Sequence, residues 1–214
     1  MNWVDIVLLV LLVAAVIIGS KKGLIRELMA LAVLAATVIV TINYIDIIAA
    51  KIYEQLGGSP LITAILSFII LLAFIYAVFK IMGILFYKFA NLQSLGKKDQ
   101  LGGALVGAVR GWLIISFLCF MIFLFPMPDK FYVEFDNSFL GPSFAKTLPI
   151  IYEGTSTLHP NNPDFMQKVE KTLLQSPSGD LSAEDRADLS ENREQVYRVI
   201  YRMDKIFGSG NNGI

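Results

Sequence analysis

Cysteine and histidine are almost absent from this chain of 214 residues, and charge is thin in its first half. The one cysteine, Cys119, lies in the apolar run Ile114 to Phe125, so neither an internal disulfide nor a cysteine cluster can form. The one histidine, His159, sits among the turn residues Leu158-His159-Pro160-Asn161-Asn162, with no second histidine to share a metal or a proton. A solvated loop accounts for it. A paired nucleophile and base, a metal-ligand cluster, a phosphate loop and a dinucleotide fingerprint are all missing. Gly102-Gly103-xxx-Gly107 lacks the strand before it and the Lys-Ser/Thr after it that a phosphate loop needs. Nothing argues for an enzyme, a metal or a cofactor. Its lysines are not clustered with aromatics on a soluble face, so nucleic acid is not an expected partner.

What the chain does contain is oil. Hydrophobic residues make up 55% and charged residues 17%, and the mean hydropathy is +0.61, high for a water-soluble domain. The zero net charge hides two unlike parts: residues 1–125 carry nine Lys/Arg and five Asp/Glu, residues 126–214 nine and thirteen. The expected fold is an all-α integral membrane protein. It has a four-helix transmembrane domain over 1–125 and a polar, partly helical C-terminal tail over 126–214.

The spans are expected at about 3–18, 24–42, 61–79 and 106–125, against the roughly 17 to 25 apolar residues that cross hydrocarbon. The first is no secretory signal, because its start, Met1-Asn2-Trp3-Val4-Asp5, lacks positive charge and Lys21 and Lys22 follow the run. Gly19-Ser20-Lys21-Lys22-Gly23 reads as a tight turn into the second span, and Leu56-Gly57-Gly58-Ser59-Pro60 as the break before the third. Pro126-Met127-Pro128 stops the fourth. Basic residues concentrate around the first and third connections (Lys21, Lys22, Arg26; Lys80, Lys88, Lys97, Lys98), which places those connections in the cytoplasm of a bacterial inner membrane. The N-terminus and the tail then lie outside, with Trp3 and Tyr44 as aromatic anchors. In the tail, Val196, Val199, Ile200, Met203 and Phe207 recur at helical spacing, so an amphipathic helix is expected over about 181–207. Its apolar face is read first as packing on its own tail or a neighbouring subunit, and second as adhering to the membrane surface.

A few residues stand out against the apolar background. Gly103, Gly107 and Gly111 repeat every fourth residue and share one helix face, a seam where another backbone can come close. Packing within the subunit is favoured over a seam between subunits. Arg110 falls about one turn inside the expected fourth span and needs a partner or water, and Glu27 and Asp99 lie toward the same side of the membrane. Glu27 with Arg110, or Asp99 with Arg110, is expected to lock helices two and four. Asp5 sits in the first turn of span one, where the helix dipole favours a carboxylate, and this explanation outweighs a proton relay. Arg26 is a weaker candidate.

Taken together, Asp5, then Gly23-Leu24-Ile25-Arg26-Glu27 opening helix two, then Asp99-x-x-x-Gly103-x-x-x-Gly107-x-x-Arg110-Gly111 opening helix four, resemble the pattern of the colicin V production (CvpA) family. Ser138-Phe139-Leu140-Gly141-Pro142 is similar to that family's Ser-x-Leu-x-Pro segment. The resemblance covers about residues 1–155, and departs from the pattern at Gln100, where the family usually has Arg, and at Gly102, where it often has Leu. It implies a non-enzymatic inner-membrane protein tied to colicin V production or export and to envelope homeostasis. Partners would be the lipid bilayer, envelope or export proteins, and further copies of the chain in a homo-oligomer built on the glycine seam. The second reading is a small transporter or channel with Asp5, Glu27, Asp99 and Arg110 along a polar path, and a third is an adaptor role for the acidic tail.

Overall fold

The computed structural model describes residues 2–56, 60–90, 96–125, 127–155, 164–174 and 183–207. Within them the secondary structure is helical, with no strand: α1 Trp3–Lys22, α2 Leu24–Leu56, α3 Pro60–Ala90, α4 Lys97–Leu124, α5 Asp129–Asp136, α6 Gly141–Gly154, α7 Phe165–Leu173 and α8 Ala183–Phe207. His159, the 57–59 break, Pro126 and the first two residues of the helix expected over 181–207 lie outside the described residues.

Helices α1 to α4 are long and apolar enough to cross a membrane. Their outward faces are as oily as their inward ones, as suits helices surrounded by lipid: Ile6, Val10, Val13 and Ile17 on α1 and Ile62, Ile69 and Phe74 on α3 are all exposed. Three hydroxyls in the spans are satisfied by their own helix, whereas that of buried Thr41 makes no hydrogen bond among the described residues. Thr37 donates to Val33 O at 2.7 Å, Ser67 to Thr63 O at 2.6 Å and Ser116 to Trp112 O at 2.8 Å, which spares each the cost of an unpaired polar group in hydrocarbon.

The helices overrun the spans expected from the sequence. α1 continues through Gly19 to Lys22, so the turn into α2 is Gly23 alone, at φ +85°, a conformation that suits glycine. α2 does not stop near Ile42. Asn43 stays helical by donating its side-chain amide to Ile39 O at 2.8 Å, and the outer turns find packing partners: Ile45 and Ala49 are buried, and Lys168 of α7 donates to Asn43 O at 2.9 Å. α3 runs unbroken to Ala90, and α4 begins at Lys97 rather than near Val106, behind Gly96 at φ +74°. Arg110 is therefore well inside α4, about 20 Å along it at 1.5 Å per residue.

α1 and α4 run antiparallel and meet backbone to backbone. A Cβ on Gly103 would lie 2.5 Å from Gly19 O and 2.8 Å from Gly23 C, one on Gly107 2.8 Å from Gly19 Cα and 2.9 Å from Ala15 O, and one on Gly111 would collide with Ala15 Cβ. The three glycines thus face Ala15, Gly19 and Gly23, which also recur every fourth residue. The chain's own α1 fills the glycine face, the packing within the subunit that the sequence favoured over a seam between subunits. This packing reassigns Gly19, which serves close packing rather than the turn.

The tail is folded, not merely polar. At the end of the spans opposite the lysine-rich connections, Phe207 of α8 packs edge-on against Phe120 and Phe123 (centroids 5.8 and 5.3 Å apart), and Phe165 of α7 and Phe135 of α5 join the same cluster. Val196, Val199, Met203 and Phe207 are buried, so the amphipathic stripe of α8 is spent on its own chain and is not available to a membrane surface. Arg202 pairs with Asp129 and lies over the Tyr132 ring, and Lys205 donates to Asp136 at 2.9 Å, a hydrogen bond that raises the Lys205 pKa. The sequence had suggested α8 but not α5, α6 or α7.

The seam makes a sharp prediction. Gly107→Ala places a methyl against backbone that cannot rotate away, and should cost about 1–3 kcal/mol, read as a lower unfolding midpoint in detergent. Gly154→Ala, where no atom lies within 4 Å of the new Cβ, should leave the midpoint where it was. Equal midpoints for the two variants would remove the seam as a source of stability.

Candidate functional site

Four ionisable residues of the spans, Asp5, Glu27, Asp99 and Arg110, tie helices to one another. Each makes a tie between elements distant in sequence.

Asp99 sits in the first turn of α4, where the orphan N–H groups and the helix dipole favour negative charge. It also reaches the start of α2, where Leu24 N–H donates to its Oδ1 at 2.8 Å. One carboxylate thus serves two helix N-termini. Gly23 makes this approach possible, because a Cβ there would collide with Asp99 Oδ2. The structure does not join Asp99 to Arg110.

Asp5 repeats the device at the other end. Its Oδ2 accepts from Asn2 N at the start of α1 (3.0 Å), and its Oδ1 accepts from Leu140 N (2.9 Å), the residue that caps α6. Asp5 is 2% exposed. Beside it, Asn2 Nδ2 donates to Glu134 O at 2.7 Å. The segment Ser138-Phe139-Leu140-Gly141-Pro142 is shaped to receive these contacts. Ser138 Oγ donates to Phe135 O at 2.6 Å and accepts from Gly141 N at 3.0 Å, a Cβ on Gly141 would come within 2.9 Å of Phe135 O, and Pro142 occupies the first turn of α6, where no N–H is needed.

Glu27 and Arg110 form the ion pair. Arg110 Nη1 lies 2.6 Å from Glu27 Oε2, with the glutamate side chain 0% and the arginine side chain 14% exposed. The approach is close but not well angled: neither Glu27 oxygen nor Arg110 Nε makes a hydrogen bond among the described residues. Charge, more than directed bonding, holds α2 to α4 here. A further tie joins α4 to α6, where Trp112 Nε1 donates to Thr147 Oγ1 at 2.9 Å and the Trp112 ring packs on Phe144.

These ties run across the stretches that carry the resemblance noted in the sequence, and a direct comparison agrees with it. The family model described as colicin V production protein matches residues 4–149. The chain belongs to the colicin V production protein family. No curated protein and no solved structure matches it. The family match takes in nearly all of α1, α2 to α5 and most of α6, hence every tie just described except the two made by Asn2, while α7 and α8 lie beyond it.

Sequence reasoning missed the partners of Asp5 and Asp99 and the α1 half of the seam. The last had a visible signal, since Ala15, Gly19 and Gly23 are spaced like the glycines they meet. Arg26 lines a cleft between α2, α3 and α4 together with Lys22, Lys80 and Arg110. Among the described residues no group of three or more His, Cys, Asp or Glu could hold a metal.

Two substitutions separate the roles. Glu27→Gln leaves a nearly buried guanidinium without its counter-charge and should cost about 3 kcal/mol, whereas the double variant Glu27→Met/Arg110→Met should recover most of that loss. Equal stability of wild type and Glu27→Gln in a detergent unfolding titration would contradict the pairing. Asp99→Ala should cost about 1 kcal/mol and Asp99→Asn little, because an amide oxygen still accepts from Leu24 N. A larger loss with Asn than with Ala would show that Asp99 acts by something other than capping.

Proposed function

We propose that this member of the colicin V production protein family is a non-enzymatic scaffold of the bacterial inner membrane that supports colicin V production or export and, more broadly, envelope homeostasis. The observation that carries this reading is the use made of the charged groups in the spans. Asp5 and Asp99 each bridge two helix N-termini and Glu27 is fully buried against Arg110, so the carboxylates that a transport path would need are committed to fixed ties. Of the four residues once considered for such a path, only Arg110 lines the cleft described above. The transporter reading accordingly stands second.

Orientation follows from charge. Lys21, Lys22, Lys97 and Lys98 gather at one end of the spans, and such residues are retained in the cytoplasm. The N-terminus and the folded tail then face the extracytoplasmic side, where α5, α7 and α8 form a cap over the aromatic cluster and offer the surface for envelope or export proteins. Lipid surrounds the remainder.

Purified full-length protein in liposomes should pass no ions over a wide range of voltage and tension, and a strain lacking its own family member should regain colicin V release when supplied with this chain. A reproducible conductance that is altered by Arg110→Gln would overturn the scaffold reading in favour of a channel. Failure to restore release, with the protein correctly inserted, would contradict the proposed role.

A further inference from the structure

The structure moves Lys80 away from the connection that the sequence had placed it beside. In the antiparallel hairpin of α2 and α3, a Cβ on Gly83 would touch Val33 Cγ2 at 3.4 Å, and Val33 lies near the middle of the apolar stretch Leu24–Ile45 of α2. Lys80 is three residues further from the lysine-rich end. At 1.5 Å per residue it stands about 18 Å from the level of Leu24, past the middle of a hydrocarbon layer of about 30 Å. Hydropathy alone would make Lys80 the end of a third span over Ile62–Ile81. The contact with Val33 overrides that placement, because α2 is fixed in depth by the one-residue turn from α1 and by its ties to α4. Lys80 is exposed, and its amine lies 5.6 Å from the centroid of the Tyr76 ring, one turn further in. An ammonium at that depth is costly unless an opposite charge faces it. Among the described residues none does. No acidic residue lines the cleft in which Lys80 stands, Glu27 is taken by Arg110, and Asp5 and Asp99 are taken by backbone N–H groups.

That cleft has the form of a groove between helices. α3 and α4 meet where Phe68 stacks on Phe117, with centroids 5.2 Å apart, and packs against Phe120. Toward the lysine-rich end they leave between them a space of about 490 Å³ with α2 as its floor. Tyr76, Lys80 and Ile84 recur every fourth residue along the α3 wall, opposite Ile114 of α4 and above Ala30 and Val33 of α2. This is the spacing at which a helix laid in a groove meets its wall. The geometry points to a docking groove for a membrane-spanning helix of another protein, one that carries a carboxylate near mid-depth to pair with Lys80. Charge selects this occupant. Acyl chains would fill the groove but leave the ammonium facing hydrocarbon. A second copy of the chain has no suitable carboxylate to present, since Asp5, Glu27 and Asp99 are buried in their own bundle and Asp46 and Glu54 lie beyond the apolar stretch of α2. The groove is argued from Lys80 and stands whether or not the chain serves colicin V release.

The test uses the full-length protein in liposomes with a synthetic membrane-spanning helix of leucine and alanine that bears one glutamate at its centre, and a matched helix with glutamine there. Binding is read as energy transfer from Trp3 and Trp112 to a dansyl group on the tryptophan-free peptide. The glutamate helix should bind about tenfold more tightly than the glutamine helix, the size of one polar contact between helices in lipid. Lys80→Gln should abolish that preference, whereas Lys80→Arg and Lys51→Gln, the latter on the outer part of α2, should keep it. Dicyclohexylcarbodiimide should join the peptide glutamate to Lys80 as an amide, the carbodiimide taking up the water as a urea. Thermal midpoints of the variants confirm that they are folded. Equal binding of the two helices, a glutamate preference that survives Lys80→Gln, or coupling at other lysines and not at Lys80 would overturn the groove as a site for an acidic helix. A dimer of the chain that dissociates on Lys80→Gln would give the groove to a second copy and overturn it equally.

Discussion

Helices in lipid gain nothing from hiding apolar surface from one another, so their association has to come from close packing and from polar contacts that lipid cannot offer. In this chain the first of these is concentrated where α1 and α4 touch. Because Gly103, Gly107 and Gly111 carry no side chain, and Ala15, Gly19 and Gly23 carry almost none, the two backbones come into direct contact over several turns. That contact sets the neighbouring geometry. It brings the end of α1 under the start of α4, which puts Gly23 beside Asp99 and lets Asp99 cap α2, and the short turn at Gly23 then leaves Glu27 beside α4 at the level Arg110 can reach. At the opposite end the same antiparallel alignment places Asp5 near the residues that follow α4, where Leu140 N–H meets it.

The charged residues are used economically. A carboxylate in a span is costly unless something positive faces it. Two solutions appear side by side: Asp5 and Asp99 are each stabilised by the partial positive charge of two helix N-termini, and Glu27 by a full cation. The first kind of tie rests on directed bonds from backbone N–H groups, those of Asn2 and Leu140 at Asp5 and that of Leu24 at Asp99. The second is sensitive to the loss of its partner, because a guanidinium left alone at that depth has only the cleft to turn to. Such a division fits a rigid frame.

The sequence was most informative where a signal is local. Four apolar runs, the helical spacing of Val196 to Phe207 and the fourfold spacing of the glycines on α4 can each be read within a few turns of chain, and the structure has four apolar helices and a terminal helix ending at Phe207. Helix ends were read less well. The second span was expected to end near Ile42, yet the side chain of Asn43 bonds back to Ile39 and α7 packs on the extra turns. α5 and α6 are short and flanked by Pro, Gly and Asn, and are held by contacts such as Trp112 with Thr147 that no local pattern announces. The acceptor role of Asp5 toward Leu140 spans 135 positions, so the residue's type and first-turn position were legible while its partner was not. The cleft was invisible for the same reason: Lys22, Arg26, Lys80 and Arg110 come from four helices and become neighbours only after the bundle forms.

The packing of α1 on α4 within a single chain is the claim on which these relations rest, and it can be measured without altering a residue. In solid-state NMR of glycine-labelled protein in bilayers, a Cα–Cα correlation between Gly19 and Gly107 should be present and should keep its intensity per labelled chain when labelled protein is diluted into unlabelled protein. A correlation that is absent, or that fades with dilution because the contact lies between chains, would contradict the account.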